Sequence, residues 1–74
     1  IPKLYPNPTQ NSATLELAKE IDRVTVYDLN GKALLTNEPE SKIVIINTTS
    51  LASGVYIVRV EQGNQVLDIK LVKE

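Results

Sequence analysis

At 74 residues the chain holds one small domain with a single core; a domain this size buries only about 60% of its unfolded surface, so modest stability is expected. Eight basic residues against nine acidic ones leave a net charge of −1, and the only aromatics are three tyrosines, which argues against nucleic acid as the partner. Cysteine, methionine, histidine, tryptophan and phenylalanine are absent, which excludes disulfides, thiolate chemistry and histidine metal ligation.

No apolar run approaches the roughly 20 residues of a membrane helix, and no basic-then-apolar leader opens the sequence. The first residues, Ile1-Pro2-Lys3, include no initiator methionine. We therefore expect a fragment or processed product whose natural beginning lies upstream.

In chain order, residues 1–12 read as an extended proline-rich lead-in and residues 13–74 as a sandwich. In Leu4-Tyr5-Pro6-Asn7-Pro8 two prolines remove two amide donors, so this is no central strand. Leu4 and Tyr5 are expected to plug one end of the core. In the polar turn Thr9 to Ser12, Asn11 is the residue best suited to a left-handed conformation. Ala13 to Leu17 alternates apolar and polar as a half-buried strand does. Ala18 to Asp22 is too short for a helix and is expected to cross between sheets.

Asp22 to Leu29 and Lys32 to Asn37 flank Asn30-Gly31, the pair that best tolerates a type I′ turn. That turn sets Val26 opposite Leu35, Val24 opposite Asn37 and Tyr27 opposite Leu34. Both faces carry apolar residues, one for the core and one for cover by a terminus or loop, with the lead-in as a candidate. After the loop Glu38 to Ser41 comes Lys42 to Asn47, whose run Ile43-Val44-Ile45-Ile46 implies burial on both faces or an edge that a partner covers. Leu51 is the single apolar anchor of the polar connection Asn47 to Ser53.

Gly54 to Lys73 reads as a long hairpin about Gly63-Asn64. A Gly-first type II′ turn sets Gln62 opposite Gln65. Tyr56 then faces Leu71, Val58 faces Ile69 and Val60 faces Leu67 on one apolar face, while Arg59 faces Asp68 on the other and Ile57 faces Lys70. A slip of one residue would turn the apolar set toward water, so pattern and turn chemistry choose the same register. Six strands, or seven if the lead-in pairs, with turn signals at the spacing of a sandwich, define an all-β fold.

The chemistry-bearing residues are few. Asp28-Leu29-Asn30-Gly31 opens like a calcium loop, but glycine stands fourth where that loop needs it sixth, so it is read as a turn. Asn47-Thr48-Thr49 is a formal glycosylation acceptor, and Asn7-Pro8-Thr9 is excluded by its proline. The acidic residues are scattered among lysines and default to solvated surface, as do Lys70 and Lys73. Loop serines have no histidine base, so neither catalysis nor a cofactor is expected. Tyr56 is read as a core residue with its hydroxyl at the rim.

Taken together, Leu4-Tyr5-Pro6-Asn7-Pro8, Val26 to Lys32, Leu51 to Val60 and Lys70-Leu71-Val72-Lys73 resemble the C-terminal sorting domain of the type IX (Por) secretion system of Bacteroidetes. The resemblance covers almost the whole chain. It implies an immunoglobulin-like antiparallel β-sandwich at the C-terminus of a secreted cargo, recognised by an outer-membrane translocon and removed by a sortase-like protease. It implies a secreted or cell-surface destination. The residues matching the family signal are Gly54, Tyr56, Val58, Lys70, Leu71, Val72 and Lys73. Two departures are an asparagine, Asn11, near the place of a common glycine, and Glu74 in place of a basic terminal residue.

Edge pairing is the expected mode of recognition, because backbone hydrogen bonds serve any cargo, and an edge that pairs with a receptor also allows self-association. The competing reading is a generic immunoglobulin- or fibronectin-like accessory module that binds carbohydrate or acts as a spacer. A sugar platform would rest on Tyr5 and Tyr27.

Overall fold

The computed structural model describes residues 2–74. They form seven strands, β1 (Lys3–Tyr5), β2 (Ser12–Ile21), β3 (Arg23–Tyr27), β4 (Ala33–Asn37), β5 (Ser41–Asn47), β6 (Gly54–Gln62) and β7 (Gln65–Lys73). Two antiparallel sheets, ordered β1-β2-β5 and β4-β3-β6-β7, make the immunoglobulin-like sandwich, and there is no helix among the described residues. The lead-in does pair, as the seventh strand.

The last hairpin has the register that alternation and turn chemistry require. Tyr56 lies opposite Leu71, Val58 opposite Ile69, Val60 opposite Leu67, Arg59 opposite Asp68 and Gln62 opposite Gln65. Gly63 carries the positive φ of 57° that a type II′ turn demands at its first central position. Tyr56, Val58, Val60 and Leu71 thereby enter the core from one sheet, and Ala13, Leu15, Val44 and Ile46 meet them from the other. Leu51 is buried as expected.

The β3–β4 hairpin departs from expectation. Val24 and Val26 face Asn37 and Leu35, but Tyr27 pairs with Ala33 instead of Leu34, after a bulge. Gly31 alone of the Asn-Gly pair has a positive φ, 86°, and its N–H donates to the Asp28 carbonyl. Asp28 Oδ1 also accepts from the N–H groups of Asn30 and Lys32, both at 2.9 Å. This is a type I turn closed by a glycine bulge. One oxygen of the Asp28 carboxylate accepts two bonds that a tighter type I′ turn would not use.

The crossing expected over Ala18 to Asp22 is confined to Asp22, because β2 runs on through Ile21, which still pairs with Ser41. Pairing of β2 with β5 is irregular between Glu16 and Ile21, and the Asp22 N–H donates to the Glu61 carbonyl of the opposite sheet at 2.8 Å. Asp22 Oδ2 accepts the Gly63 N–H at 2.6 Å, tethering the tip of the last hairpin. Asp22 and Asp28 are thus turn acceptors, not idle surface charges. The Tyr56 hydroxyl donates to the Ala52 carbonyl at 2.5 Å, four residues upstream at the β5–β6 corner. Such a tyrosine corner is a recurrent lock of immunoglobulin-like folds.

Three local expectations are corrected. Leu4 packs against the core, whereas Tyr5 is 45% exposed and its hydroxyl donates to the Glu16 carboxylate. A three-residue strand alternates faces, so only one of two neighbours can point inward. Asn11 is not left-handed; Glu40, beside Pro39, takes that conformation with φ 49°. The outer face of β3 is covered not by the lead-in but by the Arg59 guanidinium, 5.3 Å above the Tyr27 ring.

Candidate functional site

The residues matching the family signal fall into two groups. Tyr56, Val58 and Leu71 have buried side chains and hold the two walls together. Gly54 sits at φ 152°, with open space where a Cβ would stand, so glycine is needed there for its backbone and not for room. Lys70 and Val72 alternate with buried Leu71 and lie on the outer face, opposite Ile57 and Val55 respectively. A partly exposed apolar patch of Val55, Ile57 and Val72 beside exposed Lys70 is what remains for a partner to touch. The sequence pattern sets Ile57 opposite Lys70 but assigns neither Ile57 nor Val55 a contact role.

Lys73 is not a free surface charge. Its ammonium donates to the Thr48 carbonyl at 2.6 Å, and it is half-buried. Thr48 is fully buried and its N–H donates to the Asn11 carbonyl at 2.9 Å, so the strand end, the loop and the lead-in form one knot. Sequence spacing carries no sign of this, because the partners are far apart along the chain.

The free edge of β7 is also half closed. In an antiparallel pair alternate residues turn their N–H and C=O groups away from the partner strand. On β7 these are Val66, Asp68, Lys70 and Val72. The Asn7 side chain, shaped like a peptide group, donates to the Lys70 carbonyl at 2.8 Å and accepts the Val72 N–H at 2.9 Å. Beyond it the Thr9 N–H donates to the Val72 carbonyl at 2.8 Å, and the Glu74 N–H donates to the Thr9 carbonyl at 2.9 Å. Thr9 is wholly buried, its hydroxyl donating to the Ser12 carbonyl. Edge pairing along Lys70 to Glu74 is therefore taken up by the lead-in.

Outside this clip the sheet is laced by exposed ion pairs. Arg59 grips Asp68 through two hydrogen bonds of 2.9 and 3.0 Å, and Arg23 lies 3.1 Å from Glu38 and 3.7 Å from Glu61. The hydrogen bonds from Arg59, and then its charge, hold the Asp68 carboxyl below its ordinary value. A depressed carboxylate stabilises the fold above its unfolded pKa, and that contribution disappears as pH falls through the folded one. Carbon-detected NMR titration should find Asp68 titrating below the ordinary aspartate value, with Arg59→Gln returning it toward that value. An unchanged midpoint in that variant would show that the pair is not closed in solution.

Both tyrosines on which a sugar platform would rest are engaged within the chain. Tyr5 is engaged with Glu16 through its hydroxyl, and the face of Tyr27 lies under Arg59. No cluster of three potential metal-ligating side chains exists among the described residues.

A family model described as a secretion system C-terminal sorting domain matches residues 3–74. The chain belongs to that family. It is the one its motifs resemble, and it is a family of sorting signals, not of catalysts. The sorting domain is also similar to a solved structure of PorZ, described as an essential bacterial surface component of the type-IX secretion system of Porphyromonas gingivalis. The TM-score is 0.83 at 25% identity, covering 99% of the sorting domain and 11% of the PorZ chain. The sorting domain thus spans about a tenth of that relative's length. No curated protein matches it significantly. A sorting signal of this kind implies export to the cell surface or extracellular space.

Proposed function

We propose that the domain is a type IX address label, carried at the end of an upstream cargo, read by an outer-membrane translocon and then removed by a sortase-like protease. The observation that carries this reading is the family match over residues 3–74, nearly the whole chain. The likeness to part of a type-IX surface component agrees with it.

Of the seven signal-matched residues, the reading assigns direct contact to Lys70 and Val72, with Val55 and Ile57 completing the surface. Gly54, Tyr56, Val58, Leu71 and Lys73 act by holding that surface in shape. Recognition is then by side chains on the outer face of β6–β7, since the adjoining backbone edge is already bonded to Asn7 and Thr9. This reading sets aside edge pairing, the mode expected from sequence, along Lys70 to Glu74.

The test fuses residues 1–74 behind a fluorescent reporter with a periplasmic leader in a type IX-competent host. The reporter should reach the surface or medium and be recovered without the domain. The variant Lys70→Glu/Val72→Thr, both positions lying on the outer face, should melt like the parent yet leave the reporter in the periplasm. Retention of an intact, folded parent fusion would overturn the sorting role. Export of the folded double variant at the parental level would move recognition off this face.

A further inference from the structure

A sandwich has four sheet edges, and this one protects three of them. β1 is three residues long and lies between Pro2 and Pro6. β7 is clipped from Lys70 onward and carries the charge of Asp68 along the rest. β4 has five residues and starts beside a bulge. Short strands, prolines, charges and bulges are the devices by which natural sheets avoid edge-to-edge pairing.

β5 has none of these between Ile43 and Asn47. It is seven residues long, its free side is unpaired among the described residues, and Ile43 and Ile45 on its outer face are 52% and 66% exposed. The Ile43 N–H is bonded to Ser41 Oγ, two residues earlier, at 3.2 Å, while the Thr48 N–H donates to the Asn11 carbonyl on the β2 side, so the odd-numbered residues turn their backbone groups to the open side. Beside the strand, an apolar groove of about 210 Å³ opens between β5 and β4, lined by Val24, Val26, Leu35 and Ile46 among others.

We propose that β5 is a self-association site, and that its occupant is β5 of a second copy of this chain, antiparallel about a two-fold axis. The strand is self-complementary. With Ile43 opposite Ile45 of the second copy, the two-fold repeats the same pair, and four exposed isoleucines close into one cross-strand cluster. Outward N–H and C=O groups of Ile43 and Ile45 meet their counterparts, the Ile43 N–H exchanging its serine acceptor for a carbonyl. Val44 faces Val44 on the inner side. Lys42, the only charge on the strand, falls opposite Ile46 and not opposite its own copy, so no like charges meet.

One strand pair buries less than the roughly 1,200 Å² of small specific interfaces, so the dimer is weak and concentration-dependent. The site is separate from the outer face of β6–β7, so its failure would leave the sorting assignment untouched.

Sedimentation equilibrium of the 74-residue chain, from micromolar to millimolar, should show a monomer–dimer transition. Ile45→Lys should weaken it at least tenfold with the melting temperature preserved, Ile45→Thr should weaken it less, and Val66→Lys on the β7 edge should leave it unchanged. Since the chain has no cysteine, a mixture of Ile43→Cys and Ile45→Cys chains provides a register probe and should give more disulfide-linked dimer under mild oxidation than a Val66→Cys control. A chain that stays monomeric at millimolar concentration would overturn the proposal. So would a dimer insensitive to a folded Ile45→Lys variant, or one abolished by Val66→Lys.

Discussion

Leu71→Ala is expected to cost about 2–5 kcal/mol, the range for deleting a buried leucine side chain beyond its Cβ. Leu71 is fully buried opposite Tyr56, and Val58, Val60 and Leu15 are buried in the same core. At typical stabilities of 0.05–0.15 kcal/mol per residue the whole domain holds roughly 4–11 kcal/mol, so this one truncation removes a large share. Lys70→Ala, one position away on the outer face, should change stability by under about 0.5 kcal/mol. Urea unfolding of both variants checks the contrast. Equal effects would mean that β7 is not seated as described. The same burial makes deletion of Lys70 to Glu74 a poor test of signalling, because it removes Leu71 and both anchors of the lead-in. Point changes at Lys70 and Val72 separate export from folding.

Asn7→Ala should unfasten the lead-in from the last strand. The substitution leaves the Lys70 carbonyl and the Val72 N–H without their partner, a loss of about 1–2 kcal/mol if water replaces it imperfectly. Amide exchange gives the sharper readout. The Val72 and Glu74 amides, held by Asn7 and Thr9, should exchange about tenfold faster or more, since 1.4 kcal/mol corresponds to a factor of ten. The Val58 amide, in the central part of the sheet, should follow only the global change in stability. Asn7→Asp keeps the acceptor for Val72 and loses the donor to Lys70, so it should fall between. Faster exchange at Val72 with Glu74 unchanged would mean that the two halves of the clip are independent. Unchanged exchange at both would mean that the clip contributes nothing in solution.

The seven positions singled out from the sequence lie on one ribbon, yet they divide by burial. Lys70 and Val72 point outward only because Leu71 points in, which was readable from alternation. That Lys73 is tied to Thr48, and that Asn7 and Thr9 cover the edge beside Lys70 to Glu74, was not readable. Each of those contacts joins one polar side chain to a distant backbone group, and nothing in the local pattern repeats to announce it. The misread Asn30-Gly31 turn has a nearer cause. Asp28, two residues before Asn30, offered its carboxylate to two turn amides and favoured the longer loop.

Strand order in the last hairpin, its register, the inward set Tyr56, Val58 and Leu71, and the outward Arg59–Asp68 pair were all determined by the sequence alone. Period-two alternation and a Gly-Asn turn act between neighbours, so their consequences are local and can be read in one dimension. Which edges are covered and which stay open was decided only by the tertiary structure. The lead-in reaches β7 across more than 60 residues of chain, and the β5 edge stays open because no strand among the described residues arrives beside it. Coverage depends on where distant segments end up after packing, and that is a property of the assembled sandwich and not of any stretch within it.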